Sequence, residues 1–132
     1  MKIPQVACTI ETYCEVNPSE DPEKVRQAIS NVLLDVEYKV QDGSIKSASK
    51  NLESLSRIYE VIRSKKTAGA FRRQMKKNLY EDSTWFYLNK QAAFVNVVAL
   101  CEKADESPLG PIKIIIKSKN VEDVIEWLVQ QG

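Results

Sequence analysis

The chain contains no histidine. That removes the commonest general base and the commonest metal ligand, leaving carboxylate, lysine or cysteine chemistry as the routes to an enzyme. Cysteine is sparse as well: Cys8, Cys14 and Cys101 are an odd number without CxxC spacing, against both a disulfide framework and a zinc knuckle. No apolar run approaches the ~20 residues that span a bilayer. The start, Met1-Lys2-Ile3-Pro4-Gln5, carries no apolar core of signal-peptide length, so the expectation is a cytoplasmic protein without membrane contact. No Walker loop, GxGxxG, HExxH or GxSxG sequence is present to hold a nucleotide, a zinc ion or a nucleophilic serine. The expectation is a protein that is not an enzyme and takes no cofactor or metal.

What is present is an ordinary globular composition, 43% hydrophobic and 28% charged over 132 residues. A single domain over residues 1–132 is expected, and a domain of this length buries roughly 70% of its unfolded surface without a staple.

Residues 5–16 alternate, with Val6, Cys8, Ile10, Cys14 and Val16 on one side and Thr9, Glu11, Tyr13 and Glu15 on the other. This predicts a long half-buried strand in which the thiols act as small apolar side chains. Asn17-Pro18-Ser19-Glu20 ends it, and Asp21-Pro22 opens a helix with a cap and a first-turn proline. Val25, Ala28, Ile29, Val32 and Leu33 form that helix's apolar stripe. Asp42-Gly43 between Val36–Val40 and Ser44–Lys46 predicts a hairpin.

Residues 51–80 read as helix in two pieces, broken near Lys65–Gly69 where Thr67 and Gly69 are weak helix formers. Trp85–Leu88, Phe94–Leu100 and Ile112–Ile116 read as strands, and Asn120 opens a last helix lined by Val121, Val124, Ile125 and Leu128. The sum is an α+β domain: a two-layer sandwich whose mostly antiparallel sheet of about five or six strands has helices packed on one face.

The net charge of +1 conceals an asymmetry. Between Lys46 and Lys77 ten basic residues face only Glu53 and Glu60, a local charge of +8, while the rest of the chain carries −7. On a helical wheel at ~100° per residue, Ala68, Met75 and Leu79 fall within about 80° of Phe71. Lys65, Lys66, Arg72, Arg73, Lys76 and Lys77 fall roughly between 100° and 240°, on the opposite face. Such an array suits phosphates, which release condensed counterions when neutralised and which arginine can grip with its planar fork. Tyr13, Tyr80, Trp85 and Tyr87 are the aromatic groups available for stacking on unpaired bases. Two other readings stay open: a solvated helix face, and a face that meets Glu122, Asp123 and Glu126 of the last helix, in this molecule or in a partner.

Two smaller features stand apart. Glu102, Asp105 and Glu106 cluster in a loop where a polar surface or a weak cation site are the alternatives, and Lys90 lies between two apolar segments as a functional lysine, a strand edge or a bulge.

Four segments together are similar to a known family: Val16–Val25, Leu52-Glu53-Ser54-Leu55, Leu88-Asn89-Lys90-Gln91-Ala92-Ala93, and Glu106-Ser107-Pro108-Leu109-Gly110-Pro111-Ile112. In order and at the right spacing, they resemble the archaeal uncharacterised protein family (UPF) 0201, whose members carry RNA-binding and exosome-subunit-like labels. The resemblance implies a fold similar to that of the large-subunit ribosomal protein that binds 5S rRNA, and an archaeal cytoplasmic setting. It implies no catalytic residues. Where such families have a glutamine- and leucine-rich link between the middle helices, this chain has the basic Lys65-Lys66-Thr67-Ala68-Gly69.

Charge and resemblance converge on a non-catalytic RNA-binding protein, an accessory to RNA processing or to the ribosome. Arg63, Lys65, Lys66, Arg72, Arg73, Lys76 and Lys77 are the expected phosphate contacts, extended by Lys46 and Lys50. The alternative is a protein-interaction or homodimerisation module that uses the basic helix or a strand edge, with an RNA-processing protein or a second copy as partner.

Overall fold

The computed structural model describes residues 2–130. Six strands form one fully antiparallel sheet: β1 (Thr9–Glu15), β2 (Glu37–Gln41), β3 (Ser44–Ser49), β4 (Ser83–Leu88), β5 (Leu100–Cys101) and β6 (Ile112–Lys117), in the spatial order β2-β3-β1-β6-β4-β5. Five helices accompany it: α1 (Pro22–Val32), α2 (Ser56–Ser64), α3 (Ala68–Lys77), α4 (Lys90–Phe94) and α5 (Val121–Val129). The chain is an α+β fold.

Alternation decides which face of the sheet is covered. Ile10 and Cys14 of β1, Ile112, Ile114 and Ile116 of β6, and Phe86 and Leu88 of β4 are buried against the helical layer. Two polar residues, Thr12 and Ser47, share that buried face and satisfy each other by a hydroxyl–hydroxyl hydrogen bond. The helices bring Ile29, Ile58, Ile62, Met75 and Leu128 to the same core, joined by Leu55 from the 3-10 turn Leu52–Leu55 that precedes α2. Phe71 of α3 meets Phe86 edge-on at 5.4 Å, and Thr84 Oγ1 donates to the Met75 carbonyl at 2.6 Å, which pins α3 to β4.

Local chemistry sets most of the boundaries. Asp21 accepts from the Glu23 N–H at 3.0 Å with Pro22 at the first helical position. Gly43 adopts φ +81° in the β2–β3 turn, where Gln41 and Ser44 pair, a left-handed conformation suited to glycine. The middle helical segment does divide, between Ser64 and Ala68. The divider is Lys66, held at φ +54°, while Gly69 lies inside α3.

Two expectations are corrected. The first strand starts at Thr9, not near residue 5. Phe94–Leu100 is not a strand: the Asn89 side chain accepts from the Ala92 N–H at 2.8 Å and nucleates α4. Asn96 at φ +68° then turns the chain, and only Leu100–Cys101 pairs with β4. A local cap outcompeted the apolar run.

Candidate nucleic-acid interface

The basic residues of 46–77 go to different places. Arg63, near the end of α2, lies over the Tyr59 ring at 3.2 Å and donates to the backbone carbonyls of Tyr59 (3.0 Å) and Gln130 (2.7 Å). Tyr59 in turn stacks on Trp127 at 5.0 Å. Arg63 therefore ties α2 to the C-terminal end of α5, where a cation also complements the helix dipole. Arg72 and Lys76, one turn apart on α3, face α5: Arg72 pairs with Glu126 at 3.1 Å, and Lys76 stands 3.7 Å from Glu126 and 3.9 Å from Glu122. Within this molecule the basic helix thus meets the acidic face of the last one. Arg57 donates to the Asn96 carbonyl at 2.6 Å and holds the turn after α4.

Lys65, Lys66, Arg73 and Lys77 differ. All four are exposed, and no carboxylate of the described residues lies within ion-pair distance of them. Arg73 and Lys77 lie about 100° round α3 from Arg72 and Lys76, and Lys65 and Lys66 form the turn that enters α3. Gly69, one turn before Arg73, is exposed, and a Cβ there would meet nothing within 4 Å. The α2–α3 corner is accordingly an open cationic surface.

Lys46 and Lys50 are not part of that corner. Lys50 follows β3 and borders a shallow recess with Lys117 and Lys119. Lys46 lies on the sheet face that carries no helix. Strand register sets Lys39, Lys46, Tyr13, Lys113 and Tyr87 side by side in one row across β2, β3, β1, β6 and β4. The neighbouring row runs Glu37, Ala48, Glu11, Ile115 and Trp85. A trough of about 620 Å³ on this face is lined by strand residues alone. The sequence marked Tyr13, Trp85 and Tyr87 as aromatic candidates, but missed Lys39 and Lys113. Their alignment with Tyr13 depends on strand order, which alternation alone does not reveal.

Lys90 is neither a strand edge nor a bulge. It is the first residue of α4, 3% exposed, and its ammonium donates to the Glu20 carboxylate (2.9 Å) and to the carbonyls of Glu15 (3.0 Å) and Leu109 (2.8 Å). These three acceptors match its three N–H groups, leaving none for a ligand. Burial pushes the Glu20 carboxyl up, but hydrogen bonds from the Asn17 backbone and side chain, together with Lys90, outweigh it and hold it below its ordinary range. Gln91 donates to the Pro108 carbonyl and Ser107 to that of Gly110, so three of the segments that carry the family resemblance close into one polar knot. Beside it, burial drives the Cys14 thiol up to about 11 despite the opposing Lys90 charge, leaving it protonated and unreactive near neutrality. In the 102–106 loop, Glu106 accepts from the backbone N–H groups of Glu102 and Lys103, and no cluster fit to hold a metal occurs among the described residues.

Residues 9–118 match a family model described as RNA binding. A UPF0201 protein of Methanothermobacter thermautotrophicus is 36% identical over 119 residues, covering 90% of this chain and 89% of the relative. The chain belongs to the UPF0201 family. A second UPF0201 protein, from Sulfurisphaera tokodaii, is 40% identical over 119 residues, covering 86% of this chain and 81% of the relative. The crystal structure of a UPF0201 protein from Methanococcus jannaschii superposes with a TM-score of 0.80 at 26% identity, over 94% of each chain. The UPF0201 fold is thus the one this sequence adopts, and its family model spans the whole sheet.

Proposed function

We propose that this UPF0201 member is a non-catalytic, cytoplasmic RNA-binding protein that grips the phosphate backbone through Lys65, Lys66, Arg73 and Lys77. Its role is as an accessory to RNA processing or to the ribosome, and the likeness to the 5S-rRNA-binding ribosomal protein implied by the family resemblance is part of the same proposal. The observation that carries it is the α2–α3 corner: four exposed cations gathered at one turn and the helix that follows it, none with a carboxylate partner among the described residues. Unpaired surface cations attract phosphate without first breaking an ion pair, and each phosphate engaged releases counterions. Arg72 and Lys76 are second-rank contacts because Glu126 and Glu122 compete for them. Arg63 is third, its guanidinium already committed to two carbonyls. Lys46 and Lys50 serve RNA that extends beyond the corner.

The test is a titration with labelled RNA at several salt concentrations. Four engaged phosphates predict a log–log slope of roughly −3 to −4. Replacing Lys65, Lys66, Arg73 and Lys77 with glutamine should flatten that slope while leaving the circular dichroism spectrum unchanged. A folded variant that keeps the parent slope removes the corner from the interface.

A second reading, homodimerisation, rests on the β2 edge, whose five residues pair only with β3 and leave Val40 exposed. Light scattering separates the two: a salt-sensitive dimer that excludes RNA supports the second reading, and a monomer that binds RNA supports the first.

A further inference from the structure

The helix-free face of the sheet has the chemistry of a base-stacking platform. Antiparallel sheets with one solvated face usually present polar side chains there. Here Tyr13 is 40% exposed, and Trp85 and Tyr87 are half-buried with ring centroids 4.9 Å apart. Lys113 stands 4.5 Å above the Trp85 ring, and cross-strand pairing places it between Tyr13 and Tyr87. Lys46 flanks Tyr13 on the other side. Tyr13 and Tyr87 are two strands apart, a separation of roughly 10 Å from the spacing between strands. The row therefore alternates a ring with a cation, which is how a single strand of nucleic acid alternates base and phosphate along its length.

The charges of this face favour the same occupant. Its central carboxylate, Glu11, is neutralised by Lys117 at 3.0 Å. Glu37 lies on the edge strand and Glu15 at the end of β1, so the row of Lys39, Lys46, Tyr13, Lys113 and Tyr87 contains three lysines and no carboxylate. The carboxylates of an acidic peptide would also meet the lysines, but they offer no aromatic surface to the rings, whereas every nucleotide carries both a phosphate and a base.

We infer that this face binds single-stranded RNA, stacking unpaired bases on Tyr13 and on the Tyr87–Trp85 pair while Lys46 and Lys113 meet the flanking phosphates. The inference rests on the RNA-binding reading above and adds to it a second surface and a strand preference. Double-stranded RNA, whose bases are already stacked on one another, has nothing to offer the rings. The platform lies on the opposite layer from the α2–α3 corner, so the two surfaces can be removed independently.

The experiment uses the full chain with a short single-stranded RNA of mixed sequence and with its duplex. Tyr13→Ala and Tyr87→Ala should each weaken single-strand binding by about 5- to 150-fold with the salt slope unchanged, because a ring is lost and no charge. Duplex binding should not change. Tyr13→Phe and Tyr87→Phe keep the ring and should bind as the parent does, which separates ring stacking from a contact made by the hydroxyl, while unchanged duplex binding by the alanine variants excludes a merely structural effect. Tryptophan emission should fall on addition of the single strand, because Trp85 lies on the platform whereas Trp127 is buried in α5. If single-stranded RNA binds with salt dependence but the alanine variants match the parent, the platform is wrong and the RNA-binding reading survives. If the parent binds neither RNA at low salt, both fail.

Discussion

Lys90 is 3% exposed and directs its three N–H groups at Glu15, Glu20 and Leu109. Lys66 stands in solvent at a left-handed turn, with no carboxylate of the described residues within ion-pair distance. The two are the same side chain in opposite circumstances. One has given up water and must be repaid by partners, so it organises the fold; the other retains its hydration and remains available to a partner. Arg63, Arg72 and Lys76 lie between these extremes. The lesson is that the +8 of residues 46–77 measures composition, whereas the charge offered to an RNA is set by which cations lack internal partners.

Breaking the comparison at Lys90 should have the largest effect. Lys90→Met leaves the half-buried Glu20 carboxylate without its cation, and about 3 kcal/mol of stability, the lower end expected for breaking a buried pair, should be lost in urea unfolding. Adding Glu20→Gln should recover part of that loss. The same pair sets an acid limb. Glu20 has a depressed carboxyl in the folded chain, so its contribution is complete above the ordinary carboxylate range and disappears as pH falls through the folded value. Unfolding curves of Glu20→Gln should therefore show a shallower loss of stability below the ordinary carboxylate range than the parent.

Arg63→Ala comes next. It removes a cation–π contact and two hydrogen bonds, one to the Tyr59 carbonyl within α2 and one to the Gln130 carbonyl at the end of α5, and should cost about 1–2 kcal/mol while leaving the salt slope of RNA binding near the parent value. Arg72→Ala and Lys76→Ala break exposed ion pairs and should cost about 0–1 kcal/mol each. Smallest of all, the glutamine replacements at Lys65, Lys66, Arg73 and Lys77 should each change stability by less than about 0.5 kcal/mol, since they sever no contact. If those four replacements destabilise the fold more than Arg63→Ala does, the division between structural and available cations is wrong.

Much of this was legible in the sequence where the signal is local. Alternation in β1, the Asp21-Pro22 helix start and the Asp42-Gly43 turn are each decided by neighbours within a few residues, and each formed, although β1 begins only at Thr9. Phe94–Leu100 misled because a short apolar run has no distinctive period, and an asparagine cap three residues before Ala92 settled the matter. The three partners of Lys90 lie 19, 70 and 75 residues away in the chain, and that of Arg72 lies 54 away, so no local window of sequence contains them. The row of Lys39, Lys46, Tyr13, Lys113 and Tyr87 is non-local in the same sense: five strands contribute one residue each, and only the order β2-β3-β1-β6-β4 makes them neighbours.

Everything proposed for RNA binding turns on contact between the four cations of the α2–α3 corner and RNA phosphates. The most direct measurement compares the salt slope of RNA binding in the parent with that in the variant carrying glutamine at Lys65, Lys66, Arg73 and Lys77. With the corner on the phosphates, the parent slope is roughly −3 or steeper and flattens by about 3 in the folded variant. Equal slopes in the two proteins, or no binding by the parent at low salt, would contradict it.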